Sequence, residues 1–389
     1  MSTNNENINQ ETKNLNVPHL RFPEFSGEWE KKRISEFCTL LKGTGISKDQ
    51  LSTNGNPCIL YGELYTKYKA EIINEVLSCT ELDANTLVKS KVNDVIIPCS
   101  GETAIDIATA RCVPFDDVFL GGDLNILRSN KVNGSFLSYQ LNGKRKYDIA
   151  RVAQGVSVVH LYGEHLKNIV ISLPVIEEQQ KISRLLHLLD ERIAAQNKII
   201  DKLQSSINGI YSVVFQSRFC KECFRLGEIS NLYQPSTISS ADLNDGGKYL
   251  VYGANGVIGR YDKYNHEQPQ ITITCRGNTC GTVNYTSDFC WITGNSMVVN
   301  IEKYTTIVNQ RYLFHYLKSL NFSSIISGSG QPQIVRTPLE KLRIYLPTLT
   351  EQQKISANID IIITKLSLEQ SMLGYFQQQK AFLLRQMFI

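Results

Sequence analysis

The segment LPVIEEQQKIS, starting at Leu173, returns as LPTLTEQQKIS starting at Leu346. From 173 to 346 the offset is 173 positions, and it holds upstream without a gap: Gly155 falls on Gly328, Leu166 on Leu339, Ile169 on Leu342 and Ile171 on Ile344. A repeat of this length means the chain is built from two copies of one architecture. The residue before a proline avoids the helical region, so Pro174 and Pro347 mark boundaries. Each copy therefore reads as a strand-like lead (LKNIVISLP, LEKLRIYLP), a break, and a helix opening on EQQKIS.

Behind each opening runs a heptad seam. In the first copy it comprises Ile182, Leu186, Leu189, Ile193, Gln196, Ile200, Leu203, Ile207, Ile210 and Val214. The second comprises Ile355, Ile359, Ile362, Leu366, Glu369, Leu373, Phe376, Lys380, Leu383 and Met387, with Lys380 as an interruption. An alternating four-three spacing sustained this long predicts a coiled coil. The economical partner for each stripe is the other, antiparallel if the chain has internal two-fold symmetry. Such rods would be roughly 55 Å long at about 1.5 Å per residue, more than one turn of duplex DNA.

Between the helices lie two mixed blocks. Strands are expected at DVIIP, ITITC and SMVVNI, and helices at FLSYQLN and RYLFHYLKSL. The blocks share only a skeleton: Tyr61-Gly62 parallels Tyr252-Gly253, Ser100-Gly101 parallels Arg276-Gly277, and Gly122-Asp123 parallels Gly294-Asn295. The expected organisation is a disordered lead-in (1–16), a first block (17–172), a central helical spacer (173–219), a second block (220–345) and a C-terminal helical spacer (346–389). The class is α+β.

A chain of 389 residues with 42% hydrophobic and 20% charged residues is a multidomain globular protein. It has no run apolar enough for a membrane helix and no signal-peptide core, so a cytoplasmic protein without membrane attachment is expected. A net charge of +4 permits a polyanionic partner without requiring one. The ten cysteines are too sparse for a disulfide scaffold. Cys220 and Cys223 form the one close pair, and a zinc site would need a second. No phosphate loop, adenine-methyltransferase NPPY, magnesium nuclease carboxylate set or HExxH stands in the sequence. No catalytic residue, cofactor site or metal site is therefore expected in this chain.

Several loops combine glycine, amides, hydroxyls and bases in the manner that phosphate and base-edge contacts require. In the first block the candidates are Lys42 and Thr44 in LKGTGIS, and Ser100 in CSGET. The loop GKRKYDIARVAQGVS adds Lys144, Arg145, Lys146, Tyr147, Arg151, Gln154 and Ser157. In the second block they are Asn255 and Arg260 in YGANGVIGRYDKY, Arg276 and Asn278 in CRGNT, and Gln331 and Gln333 in SGSGQPQIVR. Arg276 suits guanine, and Asn278, Gln331 or Gln333 suit adenine.

Two dissimilar blocks alternating with two similar helices resemble the specificity subunit of type I restriction–modification systems. VPHLRFPEFSGEWEKKRISEF near the start, the doubled EQQKIS openings, and GSGQPQI at 328–334 carry the resemblance. It implies two mixed α/β target recognition domains alternating with two long helices that pair as an antiparallel coiled coil. Each domain would read half of a bipartite, asymmetric site on double-stranded DNA. The helices would set the spacer and dock two methyltransferase subunits, with restriction subunits completing the complex. S-adenosylmethionine, ATP and Mg2+ would belong to those partners. The repeated opening would then mark an assembly surface. One departure stands out: the first counterpart of SGSGQPQI reads AQGVSVVHL and lacks Gln-Pro-Gln, so the two loops need not share one geometry. On the residues alone, a protein-binding coiled-coil scaffold without DNA specificity and a self-sufficient DNA-modifying enzyme remain open.

Overall fold

The computed structural model describes residues 16–216, 222–254, 256–328 and 330–389. The chain divides into two compact units, one reaching to Asn197 and including Met372–Ile389, the other Lys198–Ser371. Two long helices, Ile176–Gln216 and Leu349–Gln386, contribute to both.

In the first unit four antiparallel strands lie in the order Thr39–Lys42, Leu124–Arg128, Asp94–Pro98, Arg111–Val113. Every residue of Asp94–Pro98 is buried because both faces of the strand are covered: Val95 and Ile97 pack with helix Gly134–Asn142, and Ile96 packs in a second core with Leu64, Tyr68 and Ile126. A smaller sheet holds Leu51–Ser52, Ser78–Thr80, Asn56–Ile59 and Phe119–Leu120. The second unit repeats the main sheet in the same order: Asn231–Tyr233, Ser296–Asn300, Ile271–Thr274, Val283–Tyr285, with helix Gln310–Ser319 against it. Each long helix is entered through an equivalent two-stranded ribbon, Glu30–Arg33 with Val170–Leu173 and Glu222–Arg225 with Arg343–Leu346. The strands at 94–98, 271–274 and 296–300 and both helices are thus where the sequence places them, within a residue or two.

The repeated opening proves to be an interior clasp. The Gln179 amide accepts the Asn133 backbone N–H at 3.0 Å and donates to the Pro174 carbonyl at 2.8 Å. In the second copy Gln352 accepts the Asn309 N–H at 2.8 Å and donates to the carbonyls of Pro347 and Ile307 at 2.9 and 3.0 Å. Asn133 and Asn309 are the N-caps of the two block helices, receiving the N–H of Phe136 and Tyr312 at 2.9 Å. The motif's serine donates to the same cap: Ser183 to Asn133 at 2.9 Å, Ser356 to Asn309 at 3.2 Å. Gln179, Ser183, Gln352 and Ser356 are all buried. The expectation that the repeat marks an assembly surface is corrected to this extent: of its six residues, the Gln-Lys dipeptides Gln180-Lys181 and Gln353-Lys354 and, in the second copy, Glu351 face outward.

The glutamate of the motif does two different jobs. In the second copy Thr348 and Glu351 form a reciprocal cap, Thr348 N–H to Glu351 at 3.0 Å. Val175 replaces that threonine in the first copy. Glu178 is instead buried against Arg21, whose guanidinium makes two bonds of 2.8 Å to it. That pair ties the leading segment to the helix. Asn16, at the end of the lead-in expected to be disordered, is buried and accepts the Trp29 N–H at 2.8 Å. Trp29 in turn packs edge-on to Phe136 and Phe388.

Every position of both seams is buried or half-buried, while the residues between them face solvent, with few exceptions. The helices run antiparallel in each unit. In the first, Arg192 lies over the Phe376 ring at 4.7 Å and Asp190 meets Lys380 at 2.6 Å. In the second, Ile210 and Val214 share a core with Ile355 and Ile359. Lys380 is no defect in its seam. It bridges Asp190 and Glu71, and Asp190 also accepts the Tyr139 hydroxyl at 2.7 Å. Burial alone would lower the Lys380 ammonium, but the two carboxylates outweigh it and hold it above its usual value.

The second unit has its own polar knot. Buried His315 lies 2.9 Å from both the Asp360 carboxylate and the Tyr211 hydroxyl, and Arg311 also pairs with Asp360. Burial pushes Tyr211 up to about 12; because Asp360 accepts the Nε2–H of neutral His315, Nδ1 is left to accept the Tyr211 hydroxyl. Burial also lowers His315 below its ordinary 6.5, against the pull of Asp360.

Two outcomes follow from these contacts. Gln352→Ala removes the partner of the Asn309 N–H and of two part-buried carbonyls, and should cost about 1–3 kcal/mol in urea unfolding of the second unit. Because the folded pKa of His315 is lowered, acid protonates the unfolded chain first; its stability contribution is complete above about pH 6.5 and declines below. The melting temperature should therefore fall from pH 7.5 to 5.5, and His315→Gln should make that slope shallower; an equal slope in the variant would exclude His315 as a source.

Candidate nucleic-acid interface

The two units carry one loop built twice. Gln154 and His160 exchange both backbone hydrogen bonds, at 2.8 and 2.7 Å, and close a tight loop between them. Ser327 and Gln333, each 173 positions further on, do the same at 2.9 and 2.8 Å. The strand leaving each loop is fixed identically: Leu161 N–H to Cys99 at 2.7 Å, Ile334 N–H to Cys275 at 2.9 Å. Those cysteines in turn donate their N–H to the carbonyls of Asp123 and Asn295, at 2.7 and 2.9 Å. His160 thereby pairs with Ser100, and Gln333 with Arg276. Beneath, burial pushes both thiols, Cys99 and Cys275, up to about 11, where they are unreactive at neutral pH.

Glycine sets the shape of both loops. Gly155 and Gly328 have φ of +123° and +91°, and a Cβ on either would run into the carbonyl oxygen of Val158 or Gln331. The loss of Gln-Pro-Gln from the first copy therefore leaves the closing backbone bonds and the positive-φ glycine in place, while the displayed side chains differ.

The sequence candidates fall into three groups. Several have their polar atoms engaged within the fold, which corrects the expectation that they face a ligand freely. The Thr44 hydroxyl accepts the Val88 N–H at 2.9 Å. Ser100 is buried and donates to Asp123 at 3.2 Å. Arg145 donates to the Ile389 carbonyl at 3.1 Å and pairs with Asp148. Arg260 holds the carbonyls of Gly247 and Lys248 at 3.1 and 3.2 Å.

The second group is displayed. Arg276, Asn278, Gln331 and Gln333 are exposed and brought together by the Arg276–Gln333 bridge and by the Gly277 N–H to the Pro332 carbonyl at 3.0 Å. In the first unit Lys144, Tyr147, Arg151, Gln154 and Ser157 are exposed and Lys146 is half-exposed. Arg151 lies 3.5 Å from Asp148. Lys42, also exposed, lies 4.0 Å from Asp123. Asn255, the remaining candidate, lies outside the described residues.

Two local expectations are revised. The run read as a loop, GKRKYDIARVAQGVS, contains helix Lys146–Val152, which needs only Ile149 in the core. It packs on the short helix Ala104–Ile107, which also touches strands Ser100–Gly101 and Val159–His160. YGANGVIGRYDKY supplies most of a hairpin, Tyr249–Gly253 with Gly256–Tyr261. Sequence reading passed over His160 and gave Asp123 no role at the site, although the 173-residue offset puts His160 on Gln333.

Among the described residues no cluster of His, Cys, Asp or Glu could hold a metal ion, and Cys220 lies outside them. No described helix is long and apolar enough to cross a membrane. Gly328→Ala and Gly155→Ala should each strain one loop by about 1–3 kcal/mol. Amide exchange at 327–333 or 154–160 should accelerate in the respective variant while the main sheets keep their protection; unchanged exchange would contradict the steric reading.

Known proteins share this arrangement. The type I restriction modification DNA specificity domain matches the chain twice, at residues 26–205 and 221–373. The type I restriction enzyme MjaVIII specificity subunit of Methanocaldococcus jannaschii is 24% identical over 392 aligned positions, covering 88% of this chain and 87% of its own. The crystal structure of a type I restriction–modification S subunit from M. genitalium superposes with a TM-score of 0.68 at 18% identity, over 96% of this chain and 99% of its own. A chain from a structural study of complex assembly and conformational transition in a type I system matches with a TM-score of 0.52 at 17% identity, over 92% and 96%. With two copies of its domain covering most of the sequence, the chain belongs to the type I restriction modification DNA specificity family.

Proposed function

We propose that the chain is the sequence-reading subunit of a type I restriction–modification complex, each domain reading one half of a bipartite, asymmetric site on double-stranded DNA. The observation that carries this is the loop at 154–160 and 327–333: one pattern of closing backbone bonds, two unlike sets of exposed side chains. Phosphate contacts position a protein on DNA and base-edge contacts specify the sequence, so equivalent scaffolds with different outward residues suit different half-sites.

The paired helices set the unspecified spacer and dock two methyltransferase subunits. Exposed apolar side chains on the second helix, Ile361 and Leu368 in one unit and Tyr375 and Phe382 in the other, supply contact area that its own seam does not use. Chemistry belongs to the partners: S-adenosylmethionine with the methyltransferase subunits, ATP and Mg2+ with restriction subunits. This chain alone transfers no methyl group and cuts no DNA.

Coexpression with the cognate methyltransferase subunit should produce adenine methylation at a bipartite motif, read by single-molecule methylome sequencing. Replacing 17–172 by the corresponding block of another member should change one half of that motif. An unmodified genome, or a change in both halves, would refute the proposal. Duplex binding by the complex should fall steeply with salt as counterions are released; salt-independent association would favour a protein-binding scaffold instead.

A further inference from the structure

We infer that Asp123 and His160, beside Ser100, are base-reading positions of the first domain, standing where Asn295 and Gln333 stand beside Arg276 in the second. The inference rests on the proposed function and adds which residues make the two half-sites differ. The backbone hydrogen bonds establish the equivalence. Cys99 and Cys275 bind Asp123 and Asn295 on one side and Leu161 and Ile334 on the other, so both triplets project from the same three-stranded junction.

The first junction is held by backbone bonds, which leaves the side chains of Asp123 and His160 at its outer face with Ser100 buried beside them. The backbone of His160 closes the loop, while its ring stands outside, stacked on Tyr162 at 6.2 Å and 22°. Tyr162 is itself 53% exposed. Asp123 has φ of +59° and a half-exposed carboxylate, with Lys42 at 4.0 Å and the Ser100 hydroxyl at 3.2 Å. A carboxylate on a face that approaches phosphates is repelled unless it meets a donor. The major-groove donors are the exocyclic amines of cytosine and adenine.

The second junction inverts this chemistry. Arg276 only donates and suits the O6 and N7 acceptors of guanine, while Gln333 and Asn295 offer amides that donate and accept. Asp123 thus selects a base edge that presents an amine, and Arg276 an edge that presents acceptors.

Asp123→Asn and His160→Gln each install the residue of the other domain, and Asn tolerates a positive φ. The assembled complex of each variant with its methyltransferase subunits is tested by competition binding on duplexes substituted base by base through both half-sites. The wild-type complex first defines the motif; if it has none, the proposed function fails rather than this inference. In the Asp123 variant, discrimination should drop about tenfold or more at a position in the first half-site and stay intact throughout the second. Arg276→Gln should do the reverse. First-half discrimination unchanged in both first-domain variants, discrimination lost in both halves, or duplex binding abolished altogether would overturn the inference.

Discussion

A buried glutamine holds each domain to its helix, and the rest of the architecture depends on that clasp. Gln179 and Gln352 each bind the backbone N–H of the asparagine capping a block helix, and the following serine binds the same asparagine's side chain. An unmet buried amide is costly, so these bonds act chiefly by fixing one geometry. The cap orients the block helix, that helix carries the main sheet, and the sheet presents the outer loops. Because the clasp is the same in both copies, each block helix is tied to its long helix by the same set of bonds, whatever the loops display.

The sequence made the helical frame legible because heptad spacing is a dense, local signal. Each seam position needs only a neighbour three or four residues away to be recognised, and all of them are covered in the structure. Lys380 looked like a fault because its partners, Glu71 and Asp190, are 309 and 190 positions away along the chain. The same distance effect hid the engagement of Arg145, whose acceptor is Ile389. Helix Lys146–Val152 escaped notice for a different reason. One buried residue in a short polar segment gives no periodicity to detect. The Tyr249–Tyr261 hairpin was masked by its glycines, which read as loop chemistry.

The candidate site was half legible. Glycine at 155 and 328 and the amides around them announced a special loop. That both loops share one geometry could not be read from residues, since one keeps Gln-Pro-Gln and the other has Val-Val-His. Only the backbone bonds between Gln154 and His160, and between Ser327 and Gln333, show it. Evolution of new specificity on such a frame needs no change of main chain: the bonds use N–H and C=O groups that almost any residue supplies, so apart from Gly155 and Gly328 the closing bonds place little demand on the side chains.

The first unit closes on residues from the far end of the chain. Met387 and Phe388 sit in its core with Trp29 and Phe136, and Leu20 donates its N–H to the Gln386 carbonyl at 2.9 Å. During synthesis, the second unit is a continuous stretch and can finish its core as soon as Ser371 has emerged. The first must wait, with Phe136 and Trp29 incompletely covered, until the last turns of the second long helix arrive. Such long-range closure is slow and leaves apolar surface open to aggregation meanwhile. The domain translated first is thus the last to become native.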